Sequence, residues 1–419
     1  MTLAAHAAAV ETAPSLARQP ILTKDEKVIG YDVLFDESGL SSSNSNPASS
    51  GIVQALETLG LDVVCDGRLA FVECTEHMLL HDAFRRLAAD RVVVEIPLDV
   101  TVNDHVIDAC KRLKSAGYKI AIDHFRKVDH REYLVPFADF LKVDAGPHAA
   151  DDSLQIAASH KGKSYQIVAQ NVDSRMECRN AAKAGFTLFQ GYFFRHPESM
   201  RVRQVPASQA SRLRLLQVIS TSQIDFKLVD ELIRQDASLC YRLLRYLNSP
   251  LLGFAVPVQS VHHAITLLGE RALTQWIRTA TTLSMGQPKC SDLVLASLVR
   301  ARFCELVAPG LDHGNADLFL LGMFSLMDVI LETPMEVLVE GLAFDTSAKA
   351  ALLAIKNGGG ARLSPVLDLA VAREKGDWER VAADAAKLNL PLSVVNRAYI
   401  EAMRWAYELT KPANGNKAR

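Results

Sequence analysis

Residues 91–144 contain three short apolar runs that each end in a carboxylate: RVVVE at 91–95, KIAID at 119–123 and FLKVD at 140–144. Three similar runs are Leu69–Glu73 (LAFVE), Gln166–Gln170 (QIVAQ) and Phe186–Gln190 (FTLFQ). The runs begin about 20–27 residues apart, which suits parallel strands joined by crossover helices. Polar residues at the carboxyl ends of such strands form the active-site floor of a (β/α) barrel. The predicted floor is Glu73, Glu95, Asp123, Asp144, Gln170 and Gln190.

Two further β-prone runs precede these six. Leu16–Thr23 and Lys27–Phe35 are separated by three polar residues, which indicates a hairpin. The total of eight strands predicts a closed barrel. The barrel is expected to be compressed, because this half of the chain is shorter than the roughly 250 residues of a typical eight-stranded (β/α) barrel. An open doubly wound sheet is the alternative on spacing alone. One crossover helix is well marked, with Thr101 or Asn103 as its N-cap and Gly117 closing it.

The second half of the chain has a different spacing of apolar residues. Apolar residues recur at intervals of three and four, as in Leu228, Leu232 and Ile233, and no convincing strand follows residue 197. This pattern predicts an all-α region. The expected organisation is a tail (1–14), a barrel domain (15–199), a linker (200–210), a helical domain (211–409) and a tail (410–419).

Composition excludes several classes of protein. The chain has 419 residues, 49% of them hydrophobic, and a net charge of −2, so neither nucleic acid nor a membrane surface is an expected partner. No apolar run approaches the roughly 18–20 residues that span a bilayer, and the N-terminus lacks the pattern of a signal peptide. Seven scattered cysteines without a CxxC pair favour the reducing cytoplasm.

The first half resembles the EAL domains, which are cyclic dimeric GMP phosphodiesterases. The signature Glu-Ala-Leu reads Asp32-Val33-Leu34 here. The later motifs FVECT, VEIP, AIDHF, LKVD, IVAQNVDS and FQGYFF follow in the family's order, and the resemblance covers residues 17–197. It implies a barrel in which carboxylates and an asparagine hold two divalent cations that activate water.

The resemblance also assigns roles to individual positions. Asp32 takes the place of the first glutamate ligand, and Glu73 that of the asparagine. Glu95 and Asp123 match retained ligands, and Lys142 matches the lysine that positions the attacking water. The alternative is purely structural: Glu95 and Asp123 cap helices or pair with Arg126 or Lys127, and Lys142 pairs with Asp144 or Asp123. Gln190 and Tyr192 then serve packing at the barrel mouth.

Several positions depart from the family pattern. His124 replaces an aspartate, Gln170 a glutamate and Asn171 a glycine, while Arg126-Lys127-Val128 replaces a Gly-Thr-Gly loop. Asp36 stands where an arginine contacts phosphate, which reverses the sign of that interaction. Leu98 stands where a second glutamate follows Glu95. Losing one essential group commonly lowers a rate by orders of magnitude. We therefore expect no catalytic residues and no metal; Lys142, Gln170 and Gln190 are a vestigial catalytic set, and Asp32, Glu73, Glu95, Asp123 and Asp144 are vestigial metal ligands.

The second half resembles the HDOD domain, a helical relative of HD phosphohydrolases. The residues that carry the resemblance are Leu243-Leu244 with Asn248-Ser249, and Ala264-Ile265 with Leu268-Gly269. The His-Asp metal pair of HD enzymes reads Ser325-Leu326, which cannot bind metal in the same way. His262-His263 and Asp312-His313 are interpreted as packing, surface or turn residues.

Together these features predict a degenerate EAL-type barrel followed by an HD-related helical bundle. The expected function is that of a cytoplasmic bacterial signalling protein, linked to motility and biofilm control, that acts by protein–protein interaction and does not hydrolyse cyclic dimeric GMP. The alternatives are a weak phosphodiesterase dependent on Mg²⁺ or Mn²⁺ and a receptor that binds the dinucleotide intact. Other signalling proteins and a second copy of the chain are the expected partners.

Overall fold

The computed structural model describes most of both halves of the chain. The described residues are 15–36, 47–147, 150–195, 214–216, 218–219, 224–234, 243, 261–285, 291–311, 316, 318–330, 334–340, 346–357 and 361–410. The predicted break around Pro250, the Asn248-Ser249 pair, Asp312-His313 and the triple glycine at 358–360 lie outside them.

Eight strands close into a barrel, which excludes the open sheet. They are β1 (Leu16–Thr23), β2 (Val28–Phe35), β3 (Leu69–Glu73), β4 (Val92–Ile96), β5 (Lys119–Ile122), β6 (Phe140–Asp144), β7 (Gln166–Gln170) and β8 (Leu188–Gln190). β1 runs antiparallel to both β2 and β8, and every other neighbouring pair is parallel. The start of β1 therefore lies at the same end of the barrel as the carboxyl ends of the other strands. The predicted hairpin and all six predicted runs are confirmed.

Strand periodicity sets which residues fill the barrel. One layer of the core consists of Ile21, Phe71, Val93, Ala121, Phe140, Val168 and Leu188. Gly30 leaves room for this layer, since a Cβ there would lie 2.8 Å from Phe71 Cε2. Because alternate residues of a strand share a face, the residues two positions beyond the layer also point inward.

Helices cover the outside of the barrel between the strands. They are α1 (Pro47–Leu59), α2 (Leu61–Cys65), α3 (Glu76–Leu80), α4 (Asp104–Ser115), α5 (Ala150–Ser159) and α6 (Arg175–Ala184). Asn103 caps α4 as predicted: its Oδ1 accepts a hydrogen bond from the Val106 amide at 3.0 Å. α6 begins with a capping box between Ser174 and Glu177.

The described elements beyond residue 213 are all helical. They are α7 (Phe226–Arg234), α8 (Val261–Met285), α9 (Ser291–Val307), α10 (Leu318–Phe324), α11 (Met327–Ile330), α12 (Met335–Glu340), α13 (Thr346–Asn357), α14 (Ser364–Lys375), α15 (Trp378–Lys387) and α16 (Leu392–Thr410). Gly269 has φ +69° and divides α8 into two helical parts. None of the described helices combines the length and apolar character needed to cross a membrane.

The chain divides into two compact units. Unit 1 comprises Met1–Glu198 and Leu369–Arg419, and unit 2 comprises Ser199–Asp368. The division falls within α14, whereas the sequence predicted one helical domain over 211–409. The last helices group with the barrel because they pack against it: Asn396 Nδ2 donates to Ser15 Oγ at 2.9 Å, beside the start of β1.

Candidate functional site

Five of the six predicted floor residues form the inward-facing layer above the barrel core. Glu73, Glu95, Asp123, Gln170 and Gln190 each follow a core residue by two positions. On β6 the residue in this layer is Lys142, two positions after Phe140, in place of the predicted Asp144. Asp32 joins them from β2, two residues after Gly30. Gln19 joins them from antiparallel β1, two residues before Ile21. Gln19 was predicted only as part of the Leu16–Thr23 strand, and the reversed direction of that strand is the signal that would have placed it in this layer.

Lys142 lies at the centre of the site. Its Nζ is 2.8 Å from Asp32 Oδ2, 2.7 Å from Glu95 Oε1 and 3.2 Å from Asp123 Oδ1. The lysine is wholly buried, and all three carboxylates are buried as well. Three strands therefore direct negative charge at one ammonium group from β6. The structural alternative that paired Lys142 with Asp123 is correct for that contact, but Lys142 also binds Asp32 and Glu95.

The pKa values of the cluster follow from this geometry. Burial lowers the pKa of Lys142, but Asp32, Glu95 and Asp123 raise it by more, so it lies well above the usual lysine value. Burial and the nearby Asp32 raise the pKa of Glu95 well above its ordinary range. Burial also opposes ionisation of Asp123, yet Lys142 and His124 hold the pKa of Asp123 below its usual value.

Two amides complete the ring around the lysine. Gln170 Nε2 donates to Asp123 Oδ1 at 2.9 Å, and Gln190 Nε2 donates to Asp32 Oδ2 at 2.7 Å. The Oε1 atoms of both glutamines are buried and have no hydrogen-bond partner in the described part of the chain. Buried polar atoms of this kind are uncommon and mark places where a fold was not optimised for stability alone. Because the two amides are uncharged, they neutralise none of the negative charge. They stabilise the carboxylates only by donating hydrogen bonds to them.

The other two predicted members of the floor lie outside this ring. Glu73 is exposed as a residue, but its carboxyl group is partly desolvated, and this desolvation together with Asp123 and Asp32 raises its pKa. Asp144 is half-buried, and its Oδ1 accepts a hydrogen bond from the Gly146 amide at 2.9 Å. Asp144 therefore stabilises the turn after β6 and is not a partner of Lys142 in the ion pairs described above.

The family implied by the sequence uses two divalent cations, so the fit of such ions can be tested on these residues. Divalent cations need several oxygen ligands at roughly 2.0–2.6 Å. Within the described ranges, no group of three or more His, Cys, Asp or Glu side chains is arranged to hold a metal ion. The three buried carboxylates converge on an ammonium group, whose positive charge occupies the space between them. As placed, these residues do not fit a two-metal centre.

The loop after β5 contains a buried ion pair that the sequence analysis missed. Arg131 and Asp129 are joined by two hydrogen bonds of 2.9 and 2.7 Å. Arg131 also donates to the carbonyls of Ile96 and Asp123 at 2.9 and 2.8 Å, and to that of His124 at 3.3 Å. Arg131 thus fixes the backbone that carries Asp123. In sequence it looked like one residue of a solvated charged stretch, RKVDHRE at 126–132.

The same loop contains His124, which lowers the pKa of Asp123. The backbone of His124 has φ +46°, a left-handed conformation that is uncommon for a residue with a side chain. Its Nε2 lies 3.5 Å from Asp123 Oδ2. An imidazole therefore faces Asp123 at the position where the family has an aspartate. The structural alternative paired Asp123 with Arg126 or Lys127. The structure instead places Asp123 beside His124 and Lys142.

In unit 2, the positions equivalent to the His-Asp pair are buried and occupied by Ser325 and Leu326. Ser325 Oγ donates to the Gly322 carbonyl at 2.6 Å and accepts from Arg300 Nη1 at 3.0 Å. A Cβ on Gly322 would lie 2.5 Å from the Arg300 carbonyl oxygen, so α9 and α10 approach closely there. These residues are used for helix packing.

Comparison with known proteins identifies both halves of the chain. Residues 74–197 match the EAL domain family, and residues 205–333 match the HDOD domain family. The cyclic di-GMP phosphodiesterase CdgJ of Vibrio cholerae is 30% identical over 409 residues, which cover 94% of this chain and 93% of CdgJ. This chain belongs to the EAL–HDOD family of cyclic-di-GMP signalling proteins. The uncharacterised protein YuxH of Bacillus subtilis is 29% identical over 407 residues, covering 94% of this chain and 98% of YuxH.

Two solved structures of EAL proteins are similar to part of this EAL–HDOD protein. BlrP1 of Klebsiella pneumoniae, in complex with calcium and cyclic di-GMP, is 18% identical with a TM-score of 0.38 and covers 44% of this chain and 56% of BlrP1. The EAL domain of Mycobacterium smegmatis DcpA is 16% identical with a TM-score of 0.36, covering 43% of this chain and 91% of that domain. The resemblances to EAL and HDOD domains drawn from the sequence are confirmed.

Proposed function

We propose that this EAL–HDOD protein is a signalling protein whose barrel does not hydrolyse cyclic di-GMP and whose output is the binding of partner proteins. The observation that carries the proposal is the ion-pair cluster, in which Lys142 engages Asp32, Glu95 and Asp123 at 2.7–3.2 Å. Carboxylates paired with an ammonium are poor ligands for a cation, because that cation would meet like charge at close range. No hydrolytic step is therefore assigned to these residues.

The replacements around the cluster support the same proposal. Gln170 provides an amide where the family has a glutamate, so it cannot accept a proton from water. Asp36 is a carboxylate where the family has a phosphate-binding arginine, which disfavours an anionic ligand. The Ser325-Leu326 pair removes the ligands of HD chemistry from the helical half. The proposed role is cytoplasmic, in the regulation of motility and biofilm, with other signalling proteins or a second copy as partners.

A weak metal-dependent phosphodiesterase is the second candidate. It is favoured by the relative CdgJ, which is named a phosphodiesterase. It is also favoured by the convergence of Asp32, Glu95 and Asp123, the positions that match family ligands. A third outcome, binding of the intact dinucleotide, would make the protein a receptor.

Calorimetry and product analysis on the full chain distinguish these functions. Cyclic di-GMP is titrated into the protein, and the mixture is then incubated with Mg²⁺ or Mn²⁺ and assayed for linear product. The matched variants are Lys142→Ala and Lys114→Ala. Lys114 pairs with Asp139 at 2.6 Å, next to the start of β6 and thus at the opposite end of the barrel. We expect no product from any of the three proteins; product that Lys142→Ala abolishes and Lys114→Ala leaves intact would overturn the proposal.

A further inference from the structure

A short segment near the C-terminus lies against the open end of the barrel. We call residues 373–378 the cap segment; it spans the end of α14 and the beginning of α15. Gln19 Nε2 donates a long hydrogen bond of 3.5 Å to the Lys375 carbonyl, and the Tyr192 hydroxyl donates one of 3.5 Å to the Glu374 carbonyl. The Lys375 ammonium lies 4.8 Å from the centre of the Tyr192 ring, within cation–π range. The cap segment thus contacts β1 through Gln19 and the end of the neighbouring strand β8 through Tyr192.

A glycine allows this close approach. Gly376 has φ +68°, and a Cβ at this position would lie 2.8 Å from Leu34 Cδ1 and 3.3 Å from Leu34 Cβ. Leu34 is the last residue of the Asp32-Val33-Leu34 motif on β2. A side chain at position 376 would therefore be strained by its backbone angle and would collide with β2. The turn fits against the barrel only because residue 376 lacks a side chain.

A buried cation anchors the segment. Arg373 is 0% exposed, and the Trp378 and Tyr399 rings each have their centres 4.8 Å from its guanidinium carbon. None of its three side-chain nitrogens has a hydrogen-bond partner among the described residues. Burial lowers the pKa of Arg373 to about 10, and Tyr399 and Asp36 act against that change. Asp36, which replaces the phosphate-binding arginine of the family, therefore provides attraction to a cation of the C-terminal helices.

The cap segment is connected to the lysine cluster through two amides. Gln19, which donates to the Lys375 carbonyl, accepts a hydrogen bond of 3.1 Å from Gln190 Nε2 at its own Oε1. The same Gln190 nitrogen is 2.7 Å from Asp32 Oδ2, and Asp32 binds Lys142 at 2.8 Å. The backbone of the segment and the buried ion pairs are therefore parts of one hydrogen-bonded chain.

We propose that the cap segment is an intramolecular lid, closed in this structure, that keeps a cyclic dinucleotide away from the Lys142 cluster. The inference rests on the receptor alternative named under the proposed function, in which the barrel binds the intact dinucleotide. α14 begins in unit 2 and ends in unit 1, where it leads into the lid. A closed lid lowers the apparent affinity of a ligand in proportion to the population of the open form.

A reversible lock tests the lid in a single protein. The double variant Leu34→Cys/Gly376→Cys places two thiols where the Cβ atoms would be 3.3 Å apart, close to disulfide geometry. Calorimetry with cyclic di-GMP is done on the oxidised and reduced forms, with Leu34→Cys alone as control. We expect the oxidised form to bind at least about tenfold more weakly than the reduced form, because the open form is a minor state. If strain at position 376 prevents the disulfide from forming, the Gly376→Val variant described next carries the test.

A second variant opens the lid without cysteine chemistry. Gly376→Val adds a side chain that collides with Leu34, whereas Gly162→Val alters a glycine that also has positive φ but has nothing within 4 Å of its Cβ position. Hydrogen exchange followed by mass spectrometry should show faster exchange over 373–378 and 186–192 in Gly376→Val only. Cyclic di-GMP should bind this variant about tenfold more tightly than wild type.

The outcomes separate the lid from the proposed function. One result would overturn the lid. Cyclic di-GMP would bind equally well, or not at all, to the oxidised form, to the reduced form and to a Gly376→Val protein whose residues 373–378 exchange fast. Formation of linear product would overturn the proposed function, yet it would leave the lid supported if the disulfide slows that product.

Discussion

Arg131 and Lys142 are both wholly buried at the open end of the barrel, and they are satisfied in different ways. Arg131 bonds to a carboxylate two residues away and to three backbone carbonyls, so every nitrogen of its guanidinium has an acceptor. Lys142 bonds to three carboxylates from other strands, and two glutamines of the same ring keep buried oxygens without a partner. Arg131 has the contacts of a structural residue. Lys142 is surrounded by three carboxylates, which is more than one ammonium group needs as partners in a purely structural ion pair.

Removing Arg131 should have the largest effect on stability. Arg131→Ala leaves Asp129 buried without its partner and frees the carbonyls of Ile96 and Asp123, so we expect a loss of about 3–5 kcal/mol in the free energy of unfolding. Arg112→Ala is the matched control, since the Arg112–Asp82 pair is 3.4 Å long and its arginine is 44% exposed. The control should lose no more than about 1 kcal/mol. Urea denaturation of the full chain measures both, and similar losses would contradict a structural role for Arg131.

Lys142→Met should destabilise the protein by about 3 kcal/mol at pH 8 and by less at pH 5. In the wild type, Lys142 lowers the pKa of Asp123; that contribution is lost only as pH falls through the lowered value, so it is the same at pH 5 and pH 8. Burial and Asp32 raise the pKa of Glu95 against the opposing effect of Lys142, so loss of the ammonium raises the pKa of Glu95 further. The folded variant then binds more protons than the unfolded chain, and its stability falls as pH rises.

The control for this pH dependence is Lys114→Met. Its ion pair with Asp139 is 35% and 30% exposed, so we expect a loss below about 1 kcal/mol. That loss should be equal at pH 5 and pH 8. A Lys142→Met protein whose loss is also independent of pH would show that the three carboxylates are not coupled through the lysine.

Gln170→Glu should have a smaller effect, and Mn²⁺ should reverse it. The substitution removes the donor to Asp123 Oδ1 and places a carboxylate against it, at a cost of about 1–3 kcal/mol. Divalent cations prefer such clusters of oxygens, so Mn²⁺ should raise the melting temperature of the variant and leave that of the wild type unchanged. Gln166→Glu, at the exposed start of the same strand, is the control that Mn²⁺ should not affect. A wild-type melting temperature that rises with Mn²⁺ would contradict the poor fit of a metal.

The difference between the two cations also shows what the sequence can reveal. Lys142 was predictable because its motif belongs to an ordered family pattern, whereas the strand-end pattern alone selected Asp144 on the same strand. Arg131 was missed because its burial depends on a loop that folds over the ends of β4 and β5. Arg373 was missed for the same reason: it lies in the charged stretch REKGDWER at 373–380, and the packing of the last helices on the barrel buries it.

The central claim is that the Lys142 cluster does not hydrolyse cyclic di-GMP, and single-turnover product analysis tests it most directly. Excess full-length protein is incubated with cyclic di-GMP and Mn²⁺, beside Lys142→Ala, Lys114→Ala and the reduced Leu34→Cys/Gly376→Cys variant, in which the lid is free to open. We expect intact dinucleotide to be recovered from all four proteins. Linear product from the wild type or the open variant, absent with Lys142→Ala and retained with Lys114→Ala, would contradict it.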